Sequence, residues 1–155
     1  MDFNQPGFQL HQREIAILLG QYHLRYLRRL AEVFDGDLEL PLILGEVANR
    51  NIGFALSETG VSCDNVDQQI IRAREKEELS PCSAMSVSLA TGLPRETVRR
   101  KLNKLVAQGF LVKLQDSSFV TTTKPLQYFS EILTSKQLED LMNTCSRISL
   151  LMNSK

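Results

Sequence analysis

Residues 83–123 read SAMSVSLATGLPRETVRRKLNKLVAQGFLVKLQDSSFVTTT, and their spacing predicts helix, turn, helix and hairpin in quick succession. Ser83 can cap a short helix that carries Met85, Val87, Leu89 and Ala90 and stops at Gly92, which tolerates the left-handed backbone that ends helices. Ser88 puts a small side chain on this helix where the next one must approach closely. Leu93-Pro94 makes the turn, and proline suits the first position of the following helix, where its missing N–H is harmless. That helix carries Val98, Leu102, Leu105 and Val106 on one side and ends at Gly109. FLVKL and SFVTTT then form short β-type runs around Asp116-Ser117-Ser118, a hairpin. Two strands alone are marginal, so they must pack on the helices.

Charge is concentrated in the same place. The chain of 155 residues balances 18 Lys and Arg against 18 Asp and Glu, so it has no bulk attraction for a polyanion, and any such binding must come from local segregation. Between residues 95 and 113, Arg95, Arg99, Arg100, Lys101, Lys104 and Lys113 are accompanied by one acid, Glu96, whereas residues 35–46 carry acids and no base. With Val98 at the origin and about 100° per residue, the apolar residues of the second helix centre near ~30°. Glu96, Thr97, Arg100, Asn103 and Lys104 then occupy the far side, and Arg99 and Lys101 project to the flanks.

Outward from this motif the chain reads as helix. Ile15, Leu18, Leu19, Tyr22, Tyr26, Leu30 and Val33 recur at helical steps and predict one long helix over 9–34, stopped by Asp35-Gly36-Asp37. Asp37 is a candidate N-cap for a second helix over 38–56 with Pro41 in its first turn. Residues 57–64 read as a loop, and Asp64 can cap a charged third helix reaching Glu78, whose RAREKEE segment is a solvated face. From Pro125 to Asn153 the helical pattern returns, and Thr134 with Gln137 fits a capping box, so a break or kink there is compatible with the pattern. The terminal helices carry more apolar surface than the core between them needs, and a second copy is the natural cover. The organisation is therefore an N-terminal dimerisation helix over 1–37, a central region over 38–124 containing the 83–123 motif and an insertion at 57–79, and one or two C-terminal dimerisation helices over 125–155.

Other classes find little support. Cys63, Cys82 and Cys145 are an odd number, widely spaced, and suggest reduced thiols in a cytoplasmic protein. The apolar runs are far shorter than the ~20 residues that span a bilayer, so no membrane partner is expected. His11 and His23 lie beyond the i, i+4 spacing of paired metal ligands, and neither a phosphate-binding glycine loop nor a GxSxG nucleophile motif occurs. No metal, cofactor or enzymatic activity is expected. Tyr22, Tyr26 and Phe129 could line a pocket for a small-molecule effector, and core or dimer packing explains them as well.

Helix, glycine turn, helix and hairpin is the order of a winged helix-turn-helix, mainly α with a small β wing, here flanked by long dimerisation helices. The second helix resembles that of the catabolite activator protein family, whose Arg-Glu-Thr-Val-x-Arg run is matched by Arg95-Glu96-Thr97-Val98-Arg99-Arg100 at the same distance after Gly92. The overall layout resembles MarR-type regulators, homodimers joined through their terminal helices. The resemblance implies that Arg95, Glu96 and Arg100 read base edges of double-stranded DNA. Side-chain chemistry adds Thr97 and Asn103 as base contacts, and Arg99, Lys101, Lys104, Lys113, Ser117 and Ser118 as backbone contacts. The expected function is that of a homodimeric, sequence-specific transcriptional regulator on a near-palindromic operator. The alternative is a winged-helix module for protein contact.

Overall fold

The computed structural model describes residues 4–59 and 79–153, with side chains described for 4–51 and 79–153. It is mainly helical, with one small antiparallel sheet. The helices are α1 (Gln5–Val33), α2 (Glu39–Thr59), α3 (Ala84–Thr91), α4 (Arg95–Ala107), α5 (Lys124–Phe129) and α6 (Ser135–Asn153), with strands β1 (Leu111–Lys113) and β2 (Phe119–Thr121) between α4 and α5. The expected helix over 64–78 lies outside the described residues, as does most of the insertion. The chain divides into two compact units, one formed by residues up to Gly36 together with Phe129 onward, the other by Asp37–Tyr128.

In the first unit α1 and α6 pack antiparallel. Arg25 and Arg29 of α1 both pair with Asp140 of α6, and Gln137 donates to the Tyr22 hydroxyl at 2.5 Å. At the other end the Asn4 side chain caps α1 by accepting from Gly7 N at 3.1 Å, while its Nδ2 donates to the Met152 carbonyl at 2.6 Å. A Cβ on Gly7 would collide with that same carbonyl. Helix α1 starts earlier than its apolar spacing predicts and breaks its regular geometry at His11. Between α5 and α6 lies a π-helical turn, Ser130–Thr134, in place of a capping-box break. Thr134 Oγ1 bonds back to the Phe129 carbonyl at 3.2 Å and Gln137 is engaged with α1, so neither caps a helix end. Few apolar side chains are buried here, Ile15, Leu18, Phe34 and Leu133 among them, whereas Ile17, Leu24, Leu27, Leu138, Met142 and Leu150 are exposed.

The second unit has the denser core. Leu40, Ile43, Leu44 and Val47 recur at helical steps along α2 and are buried where it packs on α3, α4 and β2; Val87 of α3, Val98, Leu102 and Leu105 of α4, and Phe110, Leu111, Phe119 and Val120 on the sheet side are buried as well. Burial of α4 follows the apolar spacing, with Val106 only half-buried. On α3, by contrast, Val87 alone is fully buried, and Met85 and Leu89 face outward. Helix α2 begins at Glu39, two residues after Asp37, and runs into the stretch read as loop, to Thr59.

The sheet pairs Leu111 with Thr121, Val112 with Val120 and Lys113 with Phe119. Cys82 adds a bridge on the outer edge of β2, its N–H donating to Phe119 O at 3.0 Å and its carbonyl accepting from Phe119 N at 2.8 Å. Continuing that register would set Ser80 opposite Thr121. The side-chain amide of Asn51 stands between them instead, accepting from Thr121 N at 2.7 Å and donating to Ser80 O at 2.5 Å. Asn51 is fully buried, and its one amide replaces a ladder bond that the chain itself does not make.

Candidate nucleic-acid interface

The turn between α3 and α4 is built from local rules. Ser83 caps α3 in a capping box with Ser86, and Gly92 ends it in the left-handed region at φ 71°. Ser88 does more than leave space, since its hydroxyl donates to the Leu93 carbonyl at 2.7 Å and ties the turn back onto α3. Pro94 occupies the N-cap position of α4. At the other end Lys124 donates to the Gln108 carbonyl at 2.6 Å, a cation on the negative end of the helix.

On α4, Arg95, Glu96, Arg99, Arg100, Asn103 and Lys104 are all exposed, and Thr97 is half-buried. Four cations thus face outward with one acid. Glu96 is engaged by Arg99 through two hydrogen bonds, from Nε at 2.9 Å and Nη2 at 2.6 Å. That pairing holds the Glu96 carboxyl below the usual range and raises the Arg99 guanidinium. Both groups are exposed, so the pair contributes little to stability. Arg95 and Arg100 have no carboxylate within ion-pair distance among the described residues.

Two expected backbone contacts, Lys101 and Ser118, sit differently from their prediction. Lys101 is turned inward with its side chain 11% exposed, and its ammonium meets Asp37 at 2.5 Å and Glu39 at 3.1 Å at the start of α2. Helical geometry puts Lys101 on the flank, and it turns to the inner side of that flank towards Asp37, just before α2, and Glu39, its first residue. Burial alone would raise the Asp37 carboxyl, yet the hydrogen bond and charge of Lys101, helped by Lys104, bring it below its ordinary value. For Lys101, burial would lower the ammonium, and hydrogen bonds to Asp37 and Glu39 raise it instead. Lys104 stays half-exposed with Asp37 at 3.7 Å. In the hairpin turn Ser118 is buried, its hydroxyl donating to Asp116 Oδ1 at 2.5 Å. Thr121, farther along the hairpin, is buried as well. Lys113 and Ser117 remain exposed, with Ser117 at φ 65° forming the bend. The outward set is therefore Arg95, Glu96, Thr97, Arg99, Arg100, Asn103 and Lys104 on the helix, with Lys113 and Ser117 on the hairpin.

Elsewhere two of the three side chains considered for an effector pocket have partners within the fold. Tyr22 accepts a hydrogen bond from Gln137, and the Phe129 ring lies 5.7 Å from that of Phe34. A groove instead runs between α1 and α6, lined by Ile17, Leu18, Leu150 and Leu151 with Glu14 and Arg147 at its edge. Cys82 is buried and its thiol is pushed up by burial, the behaviour of a structural thiol. No helix among the described residues is long and apolar enough to cross a membrane. Compared with protein families, curated proteins and solved structures, the chain matches none.

Proposed function

We propose that the chain is a winged helix-turn-helix transcriptional regulator that reads double-stranded DNA through α4. The observation that carries this reading is the outward face of α4, where Arg95, Arg99, Arg100 and Lys104 flank Asn103 while Val98, Leu102 and Leu105 anchor the opposite face. A helix of that composition fits the major groove, where Arg bonds guanine O6 and N7, Asn bonds adenine, and Glu accepts from cytosine N4. The Glu96–Arg99 pair favours a sequence-reading role over simple charge attraction. A face built only for phosphate gains nothing from a carboxylate in its first turn, whereas an acid that must be released from Arg99 answers only to a base that repays the exchange. Lys113 and Ser117 on the hairpin supply backbone contacts.

The exposed leucines and isoleucines of α1 and α6 support a homodimer joined through those helices. Two copies of α4 about 34 Å apart would select a near-palindromic site. With about six phosphate contacts per dimer, the logarithm of affinity should fall against that of salt with a slope of roughly −5. Selection from random duplexes, followed by titration of the selected and scrambled sites with Arg100→Ala, tests the reading. Expected is a loss of about 1 to 3 kcal/mol of discrimination confined to particular base pairs. Equal loss on both duplexes would remove Arg100 as a reader, and uniformly weak enrichment by the wild type would favour the protein-contact alternative.

A further inference from the structure

We propose, building on the DNA-reading role of α4, that Lys101 is a positioning residue: its pairing with Asp37 and Glu39 at the start of α2 fixes the roll of the recognition helix. An ammonium has three N–H donors. Around Lys101 stand three carboxylate oxygens, Asp37 Oδ1 and Oδ2 at 2.5 Å and Glu39 Oε2 at 3.1 Å. These two carboxylates neutralise the ammonium from the protein side, and a phosphate would have to compete with both of them.

What such a pair adds is direction. The inner face of α4 is set by Val98, Leu102 and Leu105, whose burial decides which side of the helix points inward, while the hydrophobic driving force itself carries no preferred bond direction. Charge-assisted hydrogen bonds are short and oriented. An apolar side chain of similar size would often serve stability equally well at such a place. The reading face is sensitive to rotation, because a roll of ~20° moves a tip ~6 Å from the axis by about 2 Å, enough to break a base contact. Lys101 follows Arg100 in sequence and precedes Asn103 by two residues, so the clamp acts within the turn that presents both. Lys104, whose ammonium lies 3.7 Å from the same Asp37 oxygen, is steered by it too.

The decisive variant is Asp37→Asn, because the two roles for Lys101 predict opposite signs. If Lys101 positions α4, Asp37→Asn and Lys101→Met each weaken binding to the selected duplex about tenfold, the worth of one good base contact. Scrambled-duplex affinity and the salt slope should then stay at wild-type values, and the double variant should lose no more than either single one. If Lys101 is a phosphate ligand, Asp37→Asn frees it and tightens binding to both duplexes, and Lys101→Met flattens the salt slope by about 0.9; either result overturns the proposal. Glu39→Gln, which removes only the outer partner, should give a smaller loss in the same direction. Amide hydrogen exchange of α4 in the free protein provides an arm that does not depend on DNA. Faster exchange across residues 95–107 in both variants supports the clamp, and unchanged exchange overturns it even if the wild type were found to select no duplex, an outcome that would defeat the regulator reading separately.

Discussion

Replacing Asn51 by alanine removes the amide that stands between Thr121 and Ser80, and the structure sets the size of the effect. Thr121 is 1% exposed, and its N–H has Asn51 Oδ1 at 2.7 Å as its partner. Buried so deeply, that donor cannot turn to bulk water, and leaving a buried donor unsatisfied costs about 1 to 3 kcal/mol. The Ser80 carbonyl is only half-buried and recovers part of its loss through solvent. Removing the amide also leaves a void beside Cys82 Sγ, which lies 3.8 Å from Nδ2. Together these give a destabilisation of about 2 to 4 kcal/mol. With a urea dependence of about 2 kcal/mol per molar, the middle of the usual range, the unfolding midpoint should move down by about 1 to 2 M at unchanged slope. Asn51→Asp should be no better, because it keeps an acceptor for Thr121 but sets a buried carboxylate against the Ser80 carbonyl. Circular dichroism during urea unfolding reads the effect, and hydrogen exchange at Thr121 localises it. A change within about 0.5 kcal/mol, the range of ordinary surface substitutions, would refute the argument that this amide completes the sheet.

Gly92→Ala places a side chain at φ 71° with open space around the new Cβ, so the cost is backbone strain alone, about 1 to 2 kcal/mol by thermal unfolding; a larger loss would point to a clash that the geometry does not contain. Leu150→Asp, at a position 74% exposed, should dissociate the proposed dimer while leaving helical content intact, and sedimentation that shows the same species for wild type and variant would count against an interface there. For Asp37, the folded pKa lies below the unfolded one, so its contribution is complete above about pH 4 and fades as pH falls through the depressed folded value. The stability difference between wild type and Asp37→Asn should therefore be constant from pH 7 to 5 and shrink below about 4, and shrinkage already between 7 and 5 would contradict the pairing.

Local features were legible in the sequence because local rules govern them. The spacing of Val98, Leu102 and Leu105, the caps Ser83 and Gly92, and the hairpin bend at Ser117 all depend on residues a few positions apart. The outward face of α4 followed from the same helical period. Lys101, Asn51 and Ser118 did not follow. A helical wheel places Lys101 on a flank but cannot register acids 64 and 62 residues earlier. Nothing in the helical spacing of α2 singles out Asn51, because its partner Thr121 lies 70 positions away. Long-range polar pairs have no periodicity, and the only hint was indirect: the acid-rich stretch at 35–46 stands in a chain whose bases cluster on α4. The π-helical turn also lacked a signature, since Thr134 and Gln137 matched a cap whose side chains found other partners.

The clip at Asn4 and Gly7 bears on a different question, how α1 and α6 find their alignment. A seam of leucines and isoleucines is nearly periodic, so sliding one helix by a single turn, about 5.4 Å, exchanges one apolar neighbour for another. Asn4 is not interchangeable in this way. Its oxygen serves the amino end of one helix and its nitrogen the carboxyl end of the other. Aspartate would lack the donor, and serine would present a single oxygen in place of two separated atoms. Gly7 adds a steric stop, because the Met152 carbonyl occupies the place of its absent Cβ. The pair thus works as a vernier mark on an otherwise repetitive scale, making one alignment of the two helices recognisable among several that their apolar faces would accept.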